Sequence, residues 1–329
     1  MGKQEILTML KRQSDYLSGE VISQRLGVSR AAVNKAINGL RQDGYEIESS
    51  TRKGYRLLAS PDRLTEGEIQ PWLHTEHIGK PLLCFSEVDS TSNYLKRESH
   101  RLPSGTVAVS NYQTEGRGRM GRVFHSPQDK GIYLSVLLKP TVEPIQALNF
   151  TAYLAVAVCE GVERATGLRL DIKWTNDLLL AGKKVCGILT EMAIEGECGT
   201  LEYIVPGIGL NVNEVTTDFP ENIQKIAGSL AMEVGKPLQR GRVAAEIINS
   251  FDQMYWDWLH KKGEYLERYR AACITLGKEV QILRPGREPV VAFAEEIDDD
   301  FGLVVRYPDG ARETVTSGEV SVRGLLDYA

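Results

Sequence analysis

The segment Glu115–Arg122, EGRGRMGR, sets Gly116, Gly118 and Gly121 at the spacing G-x-G-x-x-G and interleaves Arg117, Arg119 and Arg122. This glycine spacing is the mark of a dinucleotide-binding turn, which needs a strand before it and a helix after it. The strand is there, in GTVAVSNY. The residues after the glycines, RVFHSPQDKGIYLSVLL, lead to a second strand. No βαβ unit with an acidic strand end about twenty residues on accompanies it. The dinucleotide reading therefore fails. The glycines clear side chains and widen the backbone's freedom, and the arginines supply forked, permanently charged donors. Such a stretch is either a solvated basic loop or a loop that closes over a phosphate or carboxylate.

Its surroundings alternate strands with helices. PLLCFSEV is a strand, STSNYLKRESHR opens with hydroxyl residues suited to capping a helix, and GIYLSVLLK is a strand. PIQALNFTAYLAVAVCEGVERATG reads as one long apolar helix under a sheet. In DIKWTNDLLLAGKKVCGILTEM, Asp171–Trp174 is a strand, Asn176-Asp177 a turn, Leu178–Leu180 a strand, AGKK a hairpin turn and VCGILTEM the return. Lys173 and Lys184 bracket this unit and project either to solvent or into a common pocket. LEYIVPGIGLNVN reads as a strand that turns at its glycines and ends in Asn211 and Asn213. Glycines there let the backbone lie close to a flat ligand.

Charge separates the ends of the chain. Residues 1–60 carry 10 Lys/Arg against 6 Asp/Glu, and the remainder carries 29 against 38. A basic module on an acidic body suggests that only the first part meets nucleic acid. Ile6, Leu7 and Leu10 share one helical face, Val21, Ile22 and Leu26 a second, and Ala32, Val33, Ile37 and Leu40 a third. Gly27 permits the turn between the last two, and Ser29 is placed as an N-cap. This is helix-turn-helix spacing. The exposed side of the third helix offers Ser29, Arg30, Asn34, Lys35 and Asn38 to base edges and phosphates. YEIESSTRKGYRLLA then forms two short strands around Arg52-Lys53-Gly54, a wing whose tip meets phosphate. A helical interaction module is the alternative. Pro61 and its polar neighbours read as a linker.

No apolar run is read as long enough for a bilayer, and MGKQEILTML has no signal-peptide pattern. The five cysteines form no C-x-x-C pair. Reduced thiols in the cytoplasm are expected, with no disulfide and no metal site. In the C-terminal KEVQILRPGREPVVAFAEEIDDDFGLVVRYPDGARETVTSGEVSVRG, strands alternate with turns at Gly286, Gly302 and Gly310, a small β-barrel in size. Asp298, Asp299 and Asp300 read as a polar hairpin turn in preference to a cation site.

VDSTSNYL, QTEGRGRMGR, KWTNDLLL, KKVCGIL and GIGLNVN, in this order and spacing, resemble the bifunctional biotin–protein ligase and biotin operon repressor family of bacteria. The likeness extends from the winged helix to GEVSVRG. It implies an α+β, multidomain chain. Residues 1–60 would form a winged helix-turn-helix that binds DNA. Residues 61–273 would form a class II synthetase-like catalytic domain, a central mixed β-sheet with helices, and residues 274–329 an SH3-like β-barrel.

The resemblance also implies a reaction. The biotin carboxylate attacks the α-phosphate of ATP, with Mg²⁺ accompanying the nucleotide, and gives biotinyl-5′-AMP and pyrophosphate. A lysine ε-amine of the biotin carboxyl carrier protein of acetyl-CoA carboxylase then takes the biotinyl group. Two anions must meet, so positive groups must offset their repulsion, and a closing loop protects the anhydride from water. By position, Ser90, Thr91 and Ser92 correspond to the biotin head-group segment. Gln113, Arg117, Gly118 and Arg119 correspond to the loop over biotin and adenylate. Lys184 corresponds to the lysine beside the carboxylate and phosphate, with Arg119 and Lys173 as its catalytic companions. Asn176, Asp177 and Asn211 fall on the nucleotide side, and Glu319 and Arg323 help to close it.

No covalent enzyme nucleophile is needed. The adenylate would act as corepressor and promote a homodimer on operator DNA. Three residues depart from the family's habit: Ser92 for Asn, Thr175 for Pro and Phe124 for Trp. They are expected to lose a biotin contact, to loosen a turn and to drop an N–H donor. The alternatives are a non-catalytic, ligand-sensing winged-helix regulator and a lipoate-type ligase.

Overall fold

The computed structural model describes residues 2–196, 199–284, 286–316 and, for the backbone, 321–324. Three helices, α1 (Gly2–Lys11), α2 (Gly19–Leu26) and α3 (Arg30–Gln42), open the chain and lead into the hairpin β1 (Glu46–Ser50) and β2 (Gly54–Ala59). Ile6, Leu7, Leu10, Ile22, Val33, Ile37 and Leu40 form their core. Ser29 Oγ accepts from the Ala32 N–H at 3.2 Å, a cap worth about 1 kcal/mol. Ala32 and Val21, assigned to the buried stripes from sequence, are exposed.

The segment after the wing is not a loose tether. Leu64 is hydrogen-bonded through its backbone to Asn111, and Asp62 is held by the fully buried Arg240 and by Asn213. Helix α4 (Glu66–Ile69) then brings Glu68 against Lys11, both side chains 5 % exposed.

The central sheet has seven strands in the order β3-β4-β5-β9-β8-β7-β6. They are β3 (Leu82–Phe85), β4 (Thr106–Ser110), β5 (Ile132–Leu137), β6 (Asp171–Lys173), β7 (Asp177–Leu180), β8 (Lys183–Ile194) and β9 (Leu201–Leu210). Only β3 and β4 pair in parallel; the other neighbours are antiparallel. Asp177 thus opens β7, and Trp174 lies beyond β6, so the sequence assignment of these two residues is displaced by one position.

Successive side chains alternate between the two faces. On one face Val107, Val109, Ile132, Leu134, Val136, Ile188, Ile204, Ile208 and Leu210 join the main core. That core is completed by α7 (Phe150–Thr166) and α9 (Arg240–Asp257). A Cβ on Gly161 of α7 would stand 2.7 Å from Ile247 Cα of α9, so glycine sets how closely these helices approach. The expected single long helix is divided into α6 (Pro144–Ala147) and α7. The 144–166 stretch is long and apolar enough, by length and composition, to cross a membrane, which corrects the sequence reading. In the fold most of its apolar residues, from Phe150 to Val162, are packed inside, while Ile145 and Leu148 are exposed.

On the opposite face α5 (Thr91–Arg97) packs its Leu95 with Ala108, Leu137 and Val205. Helices α8 (Leu230–Val234) and α10 (Lys262–Ala272) complete the body. The C-terminal unit is a five-stranded antiparallel sheet, ordered β13-β12-β11-β10-β14. Its strands are β10 (Glu279–Leu283), β11 (Val290–Ile297), β12 (Leu303–Arg306), β13 (Arg312–Val315) and β14 (Ser321–Gly324). Asp298 Oδ1 accepts the N–H groups of Asp300 and Gly302 at 2.8 and 2.7 Å, while Asp299 and Asp300 pair with Arg270 and Lys262. The acidic triplet is a turn tied to α10. Glu319 and Cys198 lie outside the described residues, as does the side chain of Arg323.

Candidate functional site

Beyond Leu95, glycines clear the middle of the α5 face of the sheet. Gly187 on β8 pairs with Gly209 on β9, and Gly207 pairs with Ser135 on β5 and Leu189 on β8. Strand β9 runs straight through Gly207 and Gly209, where a turn was expected. These glycines do not bend the strand; they remove its upward side chains. The cleared floor lies in a cavity of ≈ 580 Å³.

Apart from Glu319 and Arg323, which fall outside the described side chains, the ligand-site residues inferred from sequence line this cavity: Ser90, Thr91, Ser92, Gln113, Arg117, Gly118, Arg119, Lys173, Asn176, Asp177, Lys184 and Asn211. At one end Ser90 caps α5 through Asn93 N–H at 3.4 Å, which fixes Thr91 and Ser92 in the first turn over the sheet. Gln113 Oε1 accepts from Thr91 N at 2.9 Å and from Thr91 Oγ1 at 3.2 Å. Ser135 Oγ is 2.7 Å from Thr91 Oγ1 and 2.9 Å from Ser92 Oγ.

The glycine–arginine stretch is folded as a narrow hairpin. Gly118 N–H donates to Arg122 O at 2.8 Å and Phe124 N–H to Gly116 O at 3.0 Å. Gly121 takes a φ of +73° at the tip, a left-handed conformation that favours glycine. A Cβ on Gly116 would meet Phe124 O at 2.3 Å. The hairpin directs Arg119 inward, where it donates to Thr175 Oγ1 at 3.2 Å and Asn176 Oδ1 at 3.0 Å. Burial lowers the Arg119 pKa from its ordinary value, and the Asp177 charge opposes that shift. Arg117 stays near the rim and donates to Asn93 Oδ1 at 3.2 Å.

Lys184 forms an ion pair with Asp177, and Lys173 is 5 % exposed. Cation and carboxylate are thus gathered on the β7–β8 side, facing the hydroxyl row. Asn176 Nδ2 donates to Ile188 O at 2.8 Å and Asn211 Nδ2 to Gly228 O at 2.9 Å. Cys186 is fully buried and its thiol is pushed well up by that burial, so it offers no thiolate.

The three departures have definite settings. Thr175 is held on both sides, by Arg119 at its hydroxyl and by the Tyr269 hydroxyl donating to its carbonyl at 3.1 Å. The Trp174–Thr175 peptide is cis. Phe124 lies on the glycine floor, where a Cβ on Gly209 would be 2.6 Å from its ring. Ser92 is engaged with Ser135. Among the lining residues that sequence reasoning missed are Ser135 and His125. Ser135 sits inside an apolar strand, and His125 Nε2 is 2.7 Å from Asp218 O. A lone serine in IYLSVLL is the available signal for the first.

On the basic module Ser29, Arg30, Asn34, Lys35, Arg52 and Lys53 are all exposed. Arg30 pairs with Glu20, and Asn38 donates to Asn34 Oδ1 at 3.0 Å. Lys53 and Arg56 stand over the Tyr16 ring, 5.4 and 4.8 Å from its centroid. The wing is therefore cationic at its tip and braced at its base.

Residues 84–211 match the model of the biotin/lipoate A/B protein ligase family, residues 3–56 an HTH domain, and residues 275–323 the biotin protein ligase C-terminal domain. The bifunctional ligase/repressor BirA of Bacillus spizizenii is 42% identical over 251 residues, 75% of each chain. The protein of the same name from Escherichia coli is 28% identical over 319 residues, 96% of each. Among solved structures, biotin protein ligase from Aquifex aeolicus in complex with biotin and ATP has a TM-score of 0.64 at 29% identity. That match covers 74% of this chain and 99% of the other.

Proposed function

Since the chain belongs to the family of bifunctional biotin ligases and repressors, we propose that its glycine-floored cavity adenylates biotin and that its winged helix reads operator DNA. The protein ligates biotin and represses transcription; biotin and ATP are its substrates. The observation that carries the site assignment is the meeting, in one cavity, of a hydroxyl row and a cationic cluster across a floor cleared by Gly187, Gly207 and Gly209.

Thr91 and Ser92 take the polar ring of biotin, and its acyl chain runs over Gly207 and Gly209. The carboxylate arrives between Arg119 and Lys184. These cations offset the repulsion between carboxylate and α-phosphate, and they stabilise the charge that grows on the phosphoryl oxygens as the anhydride forms. Lys173, Asn176 and Asn211 orient the nucleotide. The 116–124 hairpin keeps water from the anhydride. In the second half-reaction the carrier lysine's amine adds to the activated carbonyl, and Lys184 stabilises the departing AMP.

Asp177 is the one carboxylate among the described lining residues. A single carboxylate suits Mg²⁺ held mainly by nucleotide phosphates. That ion would add positive charge at the phosphates, with Asp177 as its protein ligand. We further propose that the adenylate orders the hairpin and promotes a homodimer on a two-half-site operator, because dimeric readers use paired half-sites. Sedimentation with and without biotin and ATP tests this; an unchanged mass contradicts it.

Incubation with ATP, biotin and an apo carrier domain tests the enzymatic reading, with transfer to the carrier lysine expected. Absence of transfer with ligand-dependent operator binding retained would favour a non-catalytic regulator. Transfer of lipoate in preference to biotin would favour a lipoate-type ligase.

A further inference from the structure

The hydroxyls of Thr91, Ser92 and Ser135 have three protons to share, and the geometry decides where they go. Gln113 Oε1 is identified as the amide oxygen because it receives the Thr91 backbone N–H at 2.9 Å, and its Nε2 donates to Ser126 Oγ at 3.2 Å. Thr91 Oγ1 stands 3.2 Å from the same Oε1. Two oxygens this close repel without a proton between them, so the Thr91 proton is spent there. Thr91 Oγ1 must then accept from Ser135 Oγ, 2.7 Å away. The Ser135 proton being spent, Ser135 Oγ accepts from Ser92 Oγ at 2.9 Å.

The proton order therefore runs Ser92 to Ser135 to Thr91 to Gln113. It leaves Ser92 Oγ, at the cavity wall, with unused lone pairs and no proton to give. Ser135 is 0% exposed. A Cβ on the opposing Gly207 would fall 2.6 Å from Ser92 Oγ and 3.3 Å from Ser135 Oγ, so glycine there is what admits the hydroxyl pair.

We infer that Ser135 is a positioning residue for specificity: by consuming the Ser92 proton it makes this end of the cavity a hydrogen-bond acceptor, selective for a ligand ring that presents N–H groups. The inference rests on the biotin-ligase function, since the urea ring of biotin carries two N–H donors. A cyclic carbamate analogue, with oxygen in place of a ring N–H, would set lone pair against lone pair. With Ser135→Ala the Ser92 proton loses its acceptor and can turn to that oxygen.

The test is biotin-dependent pyrophosphate release by the full chain, comparing biotin with the two ring-oxygen carbamates, in the parent, Ser135→Ala and Ser92→Ala. For Ser135→Ala, KM for biotin is expected to rise roughly tenfold, with kcat and KM for ATP within about twofold. The kcat/KM preference for biotin over one of the two carbamates is expected to fall by roughly tenfold or more. Ser92→Ala, which removes the terminal acceptor, is expected to weaken the same preference and decides the matter if Ser135→Ala does not fold. A parent that releases no pyrophosphate with biotin removes the ligase function and this inference with it. An active parent whose Ser135→Ala variant loses biotin and both carbamates equally, or loses nothing, overturns the role of Ser135 and leaves the ligase function standing.

Discussion

The two faces of the seven-stranded sheet are made by the same strands and do opposite work. In β9 Ile204 and Leu210 point into the core, while Gly207 and Gly209 face the cavity. One face is filled by branched side chains until α7 and α9 close over it. The other is stripped until a ligand can replace the missing side chains. The difference teaches that a binding floor is built here by omission, at alternate positions of strands whose other residues hold the fold. Substitutions on the two faces should therefore fail differently, one in activity and one in stability.

The largest effect is expected at the cavity's charge. Lys184→Ala or Arg119→Ala should lower adenylate formation by roughly 10²–10³-fold, measured as pyrophosphate release, with thermal unfolding little changed. A comparable loss of stability would show that these cations serve the fold. On the packed face, Gly161→Val drives a side chain into Ile247 of α9. It should cost about 1–3 kcal/mol in urea unfolding, while the molecules that remain folded keep their kcat.

A smaller, pH-dependent effect is expected at Glu214, just past β9, where the division between faces ends. Glu214 is 0% exposed and neither carboxyl oxygen has a hydrogen-bond partner among the described residues. Burial raises its pKa from 4.5 to about 7. The neutral form is favoured in the fold, so its stabilising effect is full below the ordinary value and is lost as pH rises through 7. Glu214→Gln should then match the parent at pH 4 and exceed it at pH 8, by a difference on the order of 1–3 kcal/mol. Equal stability at pH 8 would refute this. The smallest effect belongs to the wing. Arg52→Ala should reduce the slope of log K for DNA against log salt by about 1 and leave biotin ligation untouched.

Legibility followed the range of the interactions. The N-terminal module is legible because its helices are local: Ile6, Leu7 and Leu10 repeat at helical spacing, and Ser29 caps the helix that begins beside it. The cavity's charged residues are legible because they sit in compact motifs, EGRGRMGR and KWTND. Glycine is the point of failure. In VPGIGL it reads as a turn, since a sequence does not show whether a glycine bends a strand or merely withholds a side chain from one face. The segment near Pro61 reads as a tether because its anchors, Asn111, Asn213 and Arg240, are distant in sequence. Ser135 escapes notice because its partners, Thr91 and Ser92, reach it only through the β5–α5 packing.

The central claim is tested most directly by two neighbouring residues of one strand, Gly209→Val and Leu210→Ala, in biotin-dependent pyrophosphate release measured per folded molecule. Valine at 209 would intrude on the floor where Phe124 now rests, and the account predicts at least a roughly hundredfold loss of activity with stability nearly intact. Alanine at 210 should cost about 2–5 kcal/mol of stability with activity per folded molecule nearly unchanged. Full activity of Gly209→Val, or equal loss of activity in both variants, would contradict the assignment of the two faces.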